Sequence, residues 1–326
     1  MLHVGVDEAG YGPLLGPLVV GVSAFRVDED VRPNGIPPAC GWRAHLRRRL
    51  KGMVVRASGK QPRGRLPVEV DDSKAVKQRA GLAGLARGVG LFASAMDQAP
   101  PAHLEDLIVR YSDKGPDAFA CCPWFRELAD VELPHYPWTG PLDERFAARG
   151  VQALDLRVLP TDAPELNDSF DAIRNKANVL GLLSATLVLS ILDRHPGEDA
   201  ILVMDRQGGR QDYASYLARV FPFAIVSPAG APLGEVRYRV RLPDRMLHVR
   251  FVTKGDRASL AVGWASMAAK LTRELFMERL NRWFHDRLPE VRPTAGYYTD
   301  GRRFLDDVGP VLAEEAIDRR LLVRSR

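Results

Sequence analysis

A chain of 326 residues, of which 46% are hydrophobic, is long enough to bury a substantial core. Its net charge of +5 favours an acidic partner such as nucleic acid. Three cysteines form no disulfide framework and seven histidines show no zinc-site spacing, which argues against a secreted disulfide scaffold or a zinc module. The apolar run at 179–192 is too short to span a membrane, and carboxylates at positions 7 and 8 interrupt any signal peptide, so we expect a cytoplasmic protein.

The N-terminal segment carries the most informative pattern. An apolar run at 4–6 leads into Asp7 and Glu8, then into a turn containing Gly10 and Gly12, and an apolar, β-branched run follows. This order predicts a strand, a glycine turn and a second strand. Two adjacent carboxylates cannot both enter a core, and like charges repel unless a cation or a proton lies between them. They are either an acidic hairpin end in solvent or ligands for a hard cation such as Mg²⁺ or Mn²⁺.

The later segments alternate between helical and extended patterns. We predict helices over 75–87, 179–192 (beginning near Asn175), 213–220 and 261–275, strands at 201–205 and 223–226, and a basic hairpin within 227–252. The pattern predicts an α/β fold in which a mixed central β-sheet is flanked by helices, with a helical C-terminal region from about 258.

We predict a single domain over 1–326 with insertions near 38–66, 110–170 and 227–252. The first insertion contains nine basic residues and no acid: Arg43, Arg47, Arg48, Arg49, Lys51, Arg56, Lys60, Arg63 and Arg65. The second is rich in proline and aromatic residues and contains the pair Cys121 and Cys122. The basic residues either contact phosphates or form a solvated face.

Two further acids have an ordinary structural interpretation beside the functional one. Asp205 could simply close a strand before a turn, and Asp256 could cap the helix that begins near Ala258. Asp71 and Asp72 could likewise be a capping pair for the helix after Lys74. The functional interpretation is phosphodiester hydrolysis, in which two divalent cations about 4 Å apart activate a water and stabilise the leaving oxygen.

The order of these segments resembles the motifs of type 2 ribonucleases H, that is, ribonuclease HII and its relatives. Six blocks correspond: the Asp-Glu-Ala-Gly-x-Gly-Pro motif at 7–13, Asp-Ser-Lys at 72–74, the strand at 201–205, Lys-x-Asp at 254–256, the Ala-Ser-Met-Ala-Ala-Lys-Leu-Thr-Arg-Glu helix at 265–274 and Gly-Tyr at 296–297. Members of that family nick RNA strands in RNA–DNA hybrids and at ribonucleotides embedded in DNA. The resemblance implies a ribonuclease H-like fold and this activity.

The resemblance also assigns roles to residues. It implies that Asp7, Glu8, Asp205 and Asp256 are catalytic and hold two Mg²⁺ or Mn²⁺ ions. It places substrate contacts at Gly10, Tyr11, Gly12, Ser73, Lys74, Lys270 and Tyr297, with the lysines near the scissile phosphate and Tyr297 against a sugar. The implied partner is an RNA–DNA hybrid or a ribonucleotide-containing duplex DNA. We expect the protein to act as a monomer and to bind no membrane.

Two departures from the family pattern leave alternatives open. Tyr11 stands where the family has arginine, so backbone contacts of the glycines stay possible but a charged phosphate clamp is lost. Glu274 replaces aspartate and keeps the charge. The chain could therefore be a nuclease of the same fold with altered nucleic-acid specificity, or a catalytically silent hybrid-binding protein. Lys270 could merely extend to solvent, and Tyr297 could be an ordinary surface tyrosine.

Overall fold

The computed structural model describes residues 1–28, 42–56, 66–134, 140–206, 210 and 212–325, and only the backbone of residues 42–45. Nine strands form in this part of the chain: β1 (Leu2–Ala9), β2 (Leu18–Val27), β3 (Val54–Val55), β4 (Val68–Glu69), β5 (Val151–Thr161), β6 (Ala200–Asp205), β7 (Ile225–Ala229), β8 (Glu235–Arg241) and β9 (Met246–Val252).

The same residues form eleven α-helices: α1 (Trp42–Arg49), α2 (Ser73–Ala95), α3 (Leu104–Tyr111), α4 (Leu142–Ala147), α5 (Ala163–Ile173), α6 (Lys176–Arg194), α7 (Ala214–Val220), α8 (Gly255–Ala258), α9 (Leu260–Arg287), α10 (Tyr298–Asp307) and α11 (Gly309–Glu314). Short 3₁₀ helices lie at Pro116–Phe119, Pro123–Phe125, Leu128–Asp130 and Arg319–Leu321.

Seven strands form one mixed sheet in the order β5-β2-β1-β6-β9-β8-β7, and β3 pairs with β4 in a separate small sheet. The predicted hairpin is present: β1 and β2 are antiparallel, with Val6 opposite Val22. Strand β6 runs parallel to β1, and β9 runs parallel to β6. The outer strands β5, β8 and β7 are antiparallel to their neighbours. The prediction of an α/β fold with a mixed central sheet is confirmed, and its three parallel strands end at one edge.

Helix α9 lies directly on the sheet. A Cβ atom on Gly5 would lie 2.1 Å from the backbone nitrogen of Val262, so glycine in β1 permits a contact that any side chain would prevent. The helix is longer than the predicted 261–275, and most of its residues are buried, including Trp264 and Met267. This close packing fixes α9 relative to the strand that carries Asp7 and Glu8.

Helix α6 belongs to the core on the opposite side, where it packs with β1, β2 and α7. It begins where predicted, because the side chain of Asn175 accepts a hydrogen bond from the amide of Asn178. At 19 residues it is longer than the predicted run, and among the described residues it is the one helix that could cross a membrane by length and composition. Since 56% of its apolar window is buried, it equally fits a core helix.

Other elements follow the sequence with shifted ends. Helix α2 runs beyond the predicted 75–87 and changes direction at Gly81, whose backbone is not helical. The predicted strand at 201–205, helix at 213–220 and basic hairpin correspond to β6, α7 and the antiparallel pair β8–β9. The strand predicted at 223–226 begins at Ile225 instead. The region after 258 is helical as expected.

Two of the predicted insertions contribute strands to the central sheet. Strand β5, which the sequence pattern did not predict, lies within 110–170 and pairs with β2, while 227–252 supplies β8 and β9. In the first insertion, the guanidinium groups of Arg47 and Arg49 donate to backbone carbonyls, so they stabilise the fold. Lys60, Arg63 and Arg65 lie outside the described residues. The single-domain organisation and the bounds of the insertions stay predictions.

Candidate active site

The predicted catalytic acids lie where three parallel strands end. Asp7 and Glu8 are near the end of β1, and Asp205 is the last residue of β6, whose Met204 lies opposite Val6. Asp256 follows β9 by one short turn, in α8. Parallel strands present their carboxyl ends at the same edge, which is where ligands bind in open α/β sheets. The topology thus brings four acids from three segments to one edge.

Their pKa values show that these carboxyls influence one another. Burial, and then the charge of Glu8, raises the pKa of Asp7 well above its usual range. Burial, and then Asp205, raises the pKa of Glu8 to about 7. The pKa of Asp256 is raised by burial first, then by Asp72, with a smaller effect of Asp205. The acids therefore form one electrostatic cluster, in which ionising every member is unfavourable unless a cation is present.

Backbone amides and one hydroxyl orient these carboxylates. Asp205 accepts a hydrogen bond from the amide of Gly255 at 3.0 Å, and burial nonetheless raises its pKa. Asp256 accepts from the amide of Arg257 at 2.7 Å, and Asp7 accepts from the hydroxyl of Ser266 on α9. The site is thus held by the sheet and by α9, so its geometry depends on the close packing of α9 against β1.

The donor set fits divalent cations bound through few protein ligands. Within the described residues, a group of three possible ligand atoms lies within 4.8 Å of one another, but these atoms belong to other side chains. No three of the four carboxylates are that close together, so they do not form a closed cage. Mg²⁺ usually takes one or two carboxylates and fills its remaining positions with water and substrate phosphate. An open set of carboxylates suits that mode of binding, and hard oxygen donors suit Mg²⁺ or Mn²⁺.

The start of α2 contributes both predicted and unexpected residues. Asp72 caps the helix by accepting from the amides of Lys74 and Ala75, so the capping interpretation of this acid is right. Burial raises the pKa of Glu8 and of Asp205, and the charge of Lys74 opposes this rise. Lys74 therefore lies close enough to act on the acidic cluster. The buried hydroxyl of Ser73 is hydrogen-bonded to that of Ser266 at 2.9 Å, next to Asp7.

Lys270 forms an ion pair that the sequence did not predict. Its ammonium is buried and lies 2.6 Å from a carboxylate oxygen of Glu274, one turn along α9. Glu274 also pairs with Lys77 of α2, at 2.5 Å. The interpretation that Lys270 merely extends to solvent is wrong, because the ion pair holds it in the interior. Its predicted contact with a phosphate stays a prediction.

The glycine turn between β1 and β2 rests on two buried arginines. Gly10 has φ +90°, and a Cβ there would lie 2.4 Å from Nε of Arg273, so glycine is required. Gly12 has open space around it. Arg324 donates from Nη1 to the carbonyl of Gly10 at 2.6 Å and from Nη2 to that of Tyr11 at 3.4 Å. Burial, and then Arg273, lowers the pKa of Arg324 to about 9.

Tyr11 lacks the positive charge of the arginine that the family has at this position, but positively charged residues from other segments lie beside it. The ammonium of Lys176, in the first turn of α6, lies 4.7 Å from the centre of the Tyr11 ring. With Arg324 beneath the turn, two cations from distant segments flank position 11. Sequence reasoning missed both, because Lys176 and Arg324 lie outside the recognisable motifs and only proximity in the fold identifies them.

Tyr297 lies beside the same turn. The carbonyl of the preceding residue, Gly296, accepts hydrogen bonds from the amides of Leu14 and Leu15 at 2.7 and 3.1 Å. The Tyr297 side chain is 49% exposed. The neighbouring Tyr298 accepts from Arg302 at 3.1 Å within α10. Tyr297 is therefore the tyrosine that is anchored next to the glycine turn.

No family model and no curated protein matches the chain. Solved structures do resemble it. They include the ribonuclease HII from Archaeoglobus fulgidus in a complex with PCNA (16% identity, TM-score 0.43, covering 100% of this chain and 95% of that one). They also include the ribonuclease H2 from Pyrococcus horikoshii OT3 (14%, 0.42, 99% and 92%) and Bst-RNase HIII in complex with Mn²⁺ (16%, 0.42, 99% and 66%).

Identities of 16% or less and TM-scores below 0.5 assign no activity to this chain. Its function has to be inferred from its own residues.

Proposed function

We propose that this protein is a metal-dependent endonuclease of the ribonuclease H type. It would hydrolyse the RNA strand of RNA–DNA hybrids or cleave at ribonucleotides embedded in DNA, and leave 5′-phosphates. One observation carries the proposal: Asp7, Glu8, Asp205 and Asp256 meet at the carboxyl edge of three parallel strands. These are the acids that the motif order of type 2 ribonucleases H selects.

The four carboxylates would hold two Mg²⁺ or Mn²⁺ ions. When bound, such a pair of ions makes a water nucleophilic and stabilises the leaving oxygen of an in-line displacement. The protein supplies the positions of the ligands: β1 and β6 fix three of the acids, and the amide of Gly255 orients Asp205. No serine, cysteine or histidine nucleophile is required by this chemistry.

Lys74 is the lysine that we propose acts on the scissile phosphate. Its charge already acts on Glu8 and Asp205, so a phosphate bound beside these acids would lie within its field. A fixed cation there would neutralise negative charge that develops during cleavage. Lys270 would reach the phosphate only by exchanging its ion pair with Glu274, and we assign it a secondary contribution.

Ribose recognition would fall to the glycine turn and to Tyr297. Open space at Gly12 lets a sugar approach the backbone, whose amides and carbonyls can bond a 2′-hydroxyl. The exposed ring of Tyr297, anchored beside the turn, can pack on that sugar. Tyr11, flanked by Lys176 and Arg324, would complete the phosphate side of the turn.

We propose further that the protein works as a monomer on hybrid or ribonucleotide-containing duplexes, in the cytoplasm and without a membrane. The exposed arginines Arg239 and Arg241 of β8 offer additional contacts to a phosphate backbone.

The test is a cleavage assay with three end-labelled duplexes of one sequence: an RNA–DNA hybrid, a DNA duplex with one ribonucleotide, and an all-DNA duplex. We expect Mg²⁺- or Mn²⁺-dependent cuts in the first two and none in the third. Binding of the RNA–DNA hybrid without cleavage under any divalent cation would identify a catalytically silent hybrid-binding protein. Cleavage of the all-DNA duplex at the same rate would identify a nuclease of altered specificity.

A further inference from the structure

A second group of metal-ligating side chains lies outside the carboxylate cluster. Cys121 and Cys122 sit between two 3₁₀ helices, and Asp162 lies at the start of α5. The two Sγ atoms are 3.9 Å apart, and each lies 3.7 Å from Oδ2 of Asp162. Sγ of Cys122 is also 3.6 Å from the carbonyl oxygen of Leu321. Four possible ligand atoms thus converge from three segments of the chain.

These separations match those of a tetrahedral zinc site. Zinc–sulfur bonds of about 2.3 Å and zinc–oxygen bonds of about 2.1 Å, at tetrahedral angles, place two sulfurs about 3.8 Å apart and a sulfur and an oxygen about 3.6 Å apart. The observed sulfur–sulfur and sulfur–oxygen distances, 3.9, 3.7, 3.7 and 3.6 Å, differ from these values by little more than 0.1 Å. Cys121, Cys122 and Asp162 are therefore spaced to hold one ion with little movement, and the Leu321 carbonyl lies at a suitable distance from Cys122.

Burial also favours a bound ion. Cys122 and Asp162 are almost completely buried, whereas Cys121 is exposed and leaves a path from solvent. A buried carboxylate facing two thiols has only weak hydrogen-bond donors from that side, and a cation bound by the thiolates would offset its charge. Thiolates prefer zinc and other soft divalent ions, while the carboxylate cluster prefers hard ions, so the two sites would not compete for one metal.

We propose that Cys121, Cys122 and Asp162 form a binding site for Zn²⁺ or a similarly thiophilic divalent cation, with the Leu321 carbonyl as a fourth ligand. On binding, each thiol releases its proton to solvent and each sulfur donates a lone pair to the ion. No electron is transferred. This site is independent of the proposed nuclease chemistry.

The position of this site indicates a structural role. Leu321 belongs to the C-terminal turn that Asn167 of α5 also holds, by donating to the carbonyls of Arg320 and Val323 at 3.1 and 2.9 Å. Three residues beyond Leu321, Arg324 holds the glycine turn. A metal joining the cysteines, α5 and this turn would therefore stabilise the segment that supports the turn.

The experiment measures metal binding to the full-length, reduced protein in excess Mg²⁺, which occupies hard-ligand sites. Co²⁺ is the spectroscopic probe, because cysteine ligands give an intense sulfur-to-cobalt charge-transfer absorption that carboxylates do not give. We expect one Co²⁺ per chain with this absorption, displacement by Zn²⁺, and a higher melting temperature with Zn²⁺. Absence of the absorption, or of any zinc-induced shift in melting temperature, would overturn the proposal.

Variants identify the ligands. Cys122→Ser and Asp162→Asn should each weaken Zn²⁺ affinity by at least about tenfold to a hundredfold, the loss that removal of an outer-shell partner already causes. Asparagine caps helices as well as aspartate does, so Asp162→Asn keeps the start of α5 intact. Cys121→Ser is a further check at an exposed position. Cys40→Ser is the matched control and should bind as the parent does.

Three outcomes would contradict the assignment. Full metal affinity in Cys122→Ser or in Asp162→Asn would remove those residues from the ligand set. Loss of affinity in Cys40→Ser would transfer the site to another cysteine. Formation of a Cys121–Cys122 disulfide that Zn²⁺ does not prevent would make the pair a redox site instead.

Discussion

The acidic edge and the glycine turn, the two regions that would contact the substrate, have opposite charge, and the sequence predicts the first far better than the second. The acidic edge consists of carboxylates in recognisable motifs, each at the end of a strand or at the start of a helix. The glycine turn is supported by Lys176, Arg273 and Arg324, which come from three distant segments. The comparison teaches that groups proposed to do the chemistry lie in short motifs, whereas those that position the turn are identified only by the fold.

The largest effect is expected at the acidic edge. Asp7→Asn should lower the cleavage rate by at least about 100-fold, because changes to outer-shell partners alone cause losses up to that size. The free energy of unfolding should stay unchanged or rise, since the variant removes a buried carboxyl whose pKa is raised by burial and by Glu8. Single-turnover cleavage and thermal unfolding measure the two effects. Asp117→Asn, an exposed acid, is the control, and an unfolded Asp7→Asn would point to a structural role instead.

A second substitution tests the support of the glycine turn. Arg324→Met keeps the length of the side chain but removes the donors to Gly10 and Tyr11. We expect a loss of about 1 to 3 kcal/mol in the free energy of unfolding and about a tenfold loss in kcat/KM, with cation affinity unchanged.

Arg320 provides the matched control for Arg324. It is exposed and pairs with Asp168 and Asp171 at the surface, where solvent screens the ion pairs, so Arg320→Met should lower the free energy of unfolding much less than Arg324→Met does. Equal effects of the two substitutions, in denaturant unfolding and in kinetics, would show that Arg324 has no special role at the turn.

The pH dependence of stability tests the charge repulsion within the cluster. Burial and Asp205 raise the pKa of Glu8 from 4.5 to about 7 in the folded protein. The unfolded chain binds fewer protons in that interval, so stability falls as pH rises through it and the full penalty is present above about pH 7. Without divalent cation, Glu8→Gln should therefore raise the free energy of unfolding at pH 8 by up to about 3 kcal/mol and change it little at pH 4.

Added Mg²⁺ sharpens this prediction. The ion should stabilise the parent at pH 8 more than it stabilises Glu8→Gln, because a cation offsets the charge that the variant lacks. The exposed Glu105→Gln serves as the control in chemical unfolding. A variant that is less stable than the parent at pH 8 without cation would show that Glu8 is not strained by its neighbours.

The smallest effect is expected at Tyr297. Tyr297→Ala should raise KM by roughly fivefold, because contacts of an aromatic ring with a nucleotide contribute about 1 kcal/mol or more. It should also reduce the preference for a ribose over a deoxyribose at the cut site, with cation affinity unchanged. Steady-state kinetics on paired substrates measures both changes, and Tyr298→Ala is the control. Identical behaviour of the two variants would make Tyr297 an ordinary surface tyrosine.

The sequence predicted the hairpin of β1 and β2 because two apolar runs flank a glycine turn. It grouped Asp205 and Asp256 with Asp7 only through the family resemblance, and the parallel strands that bring their segments to one edge were not predicted. Strand β5 was missed, since its residues lie in a segment that was assigned as an insertion. The ion pair of Lys270 was also missed, because no local pattern shows that Lys77 of α2 lies next to Glu274.

The most direct test of the central claim is a crystal structure with Mn²⁺, in which anomalous scattering locates the ions independently of any assumption. The account predicts two Mn²⁺ ions between the carboxylates of Asp7, Glu8, Asp205 and Asp256, about 4 Å apart. Mn²⁺ bound elsewhere, or any one of these carboxyl groups more than about 10 Å from the other three, would contradict a shared two-metal site.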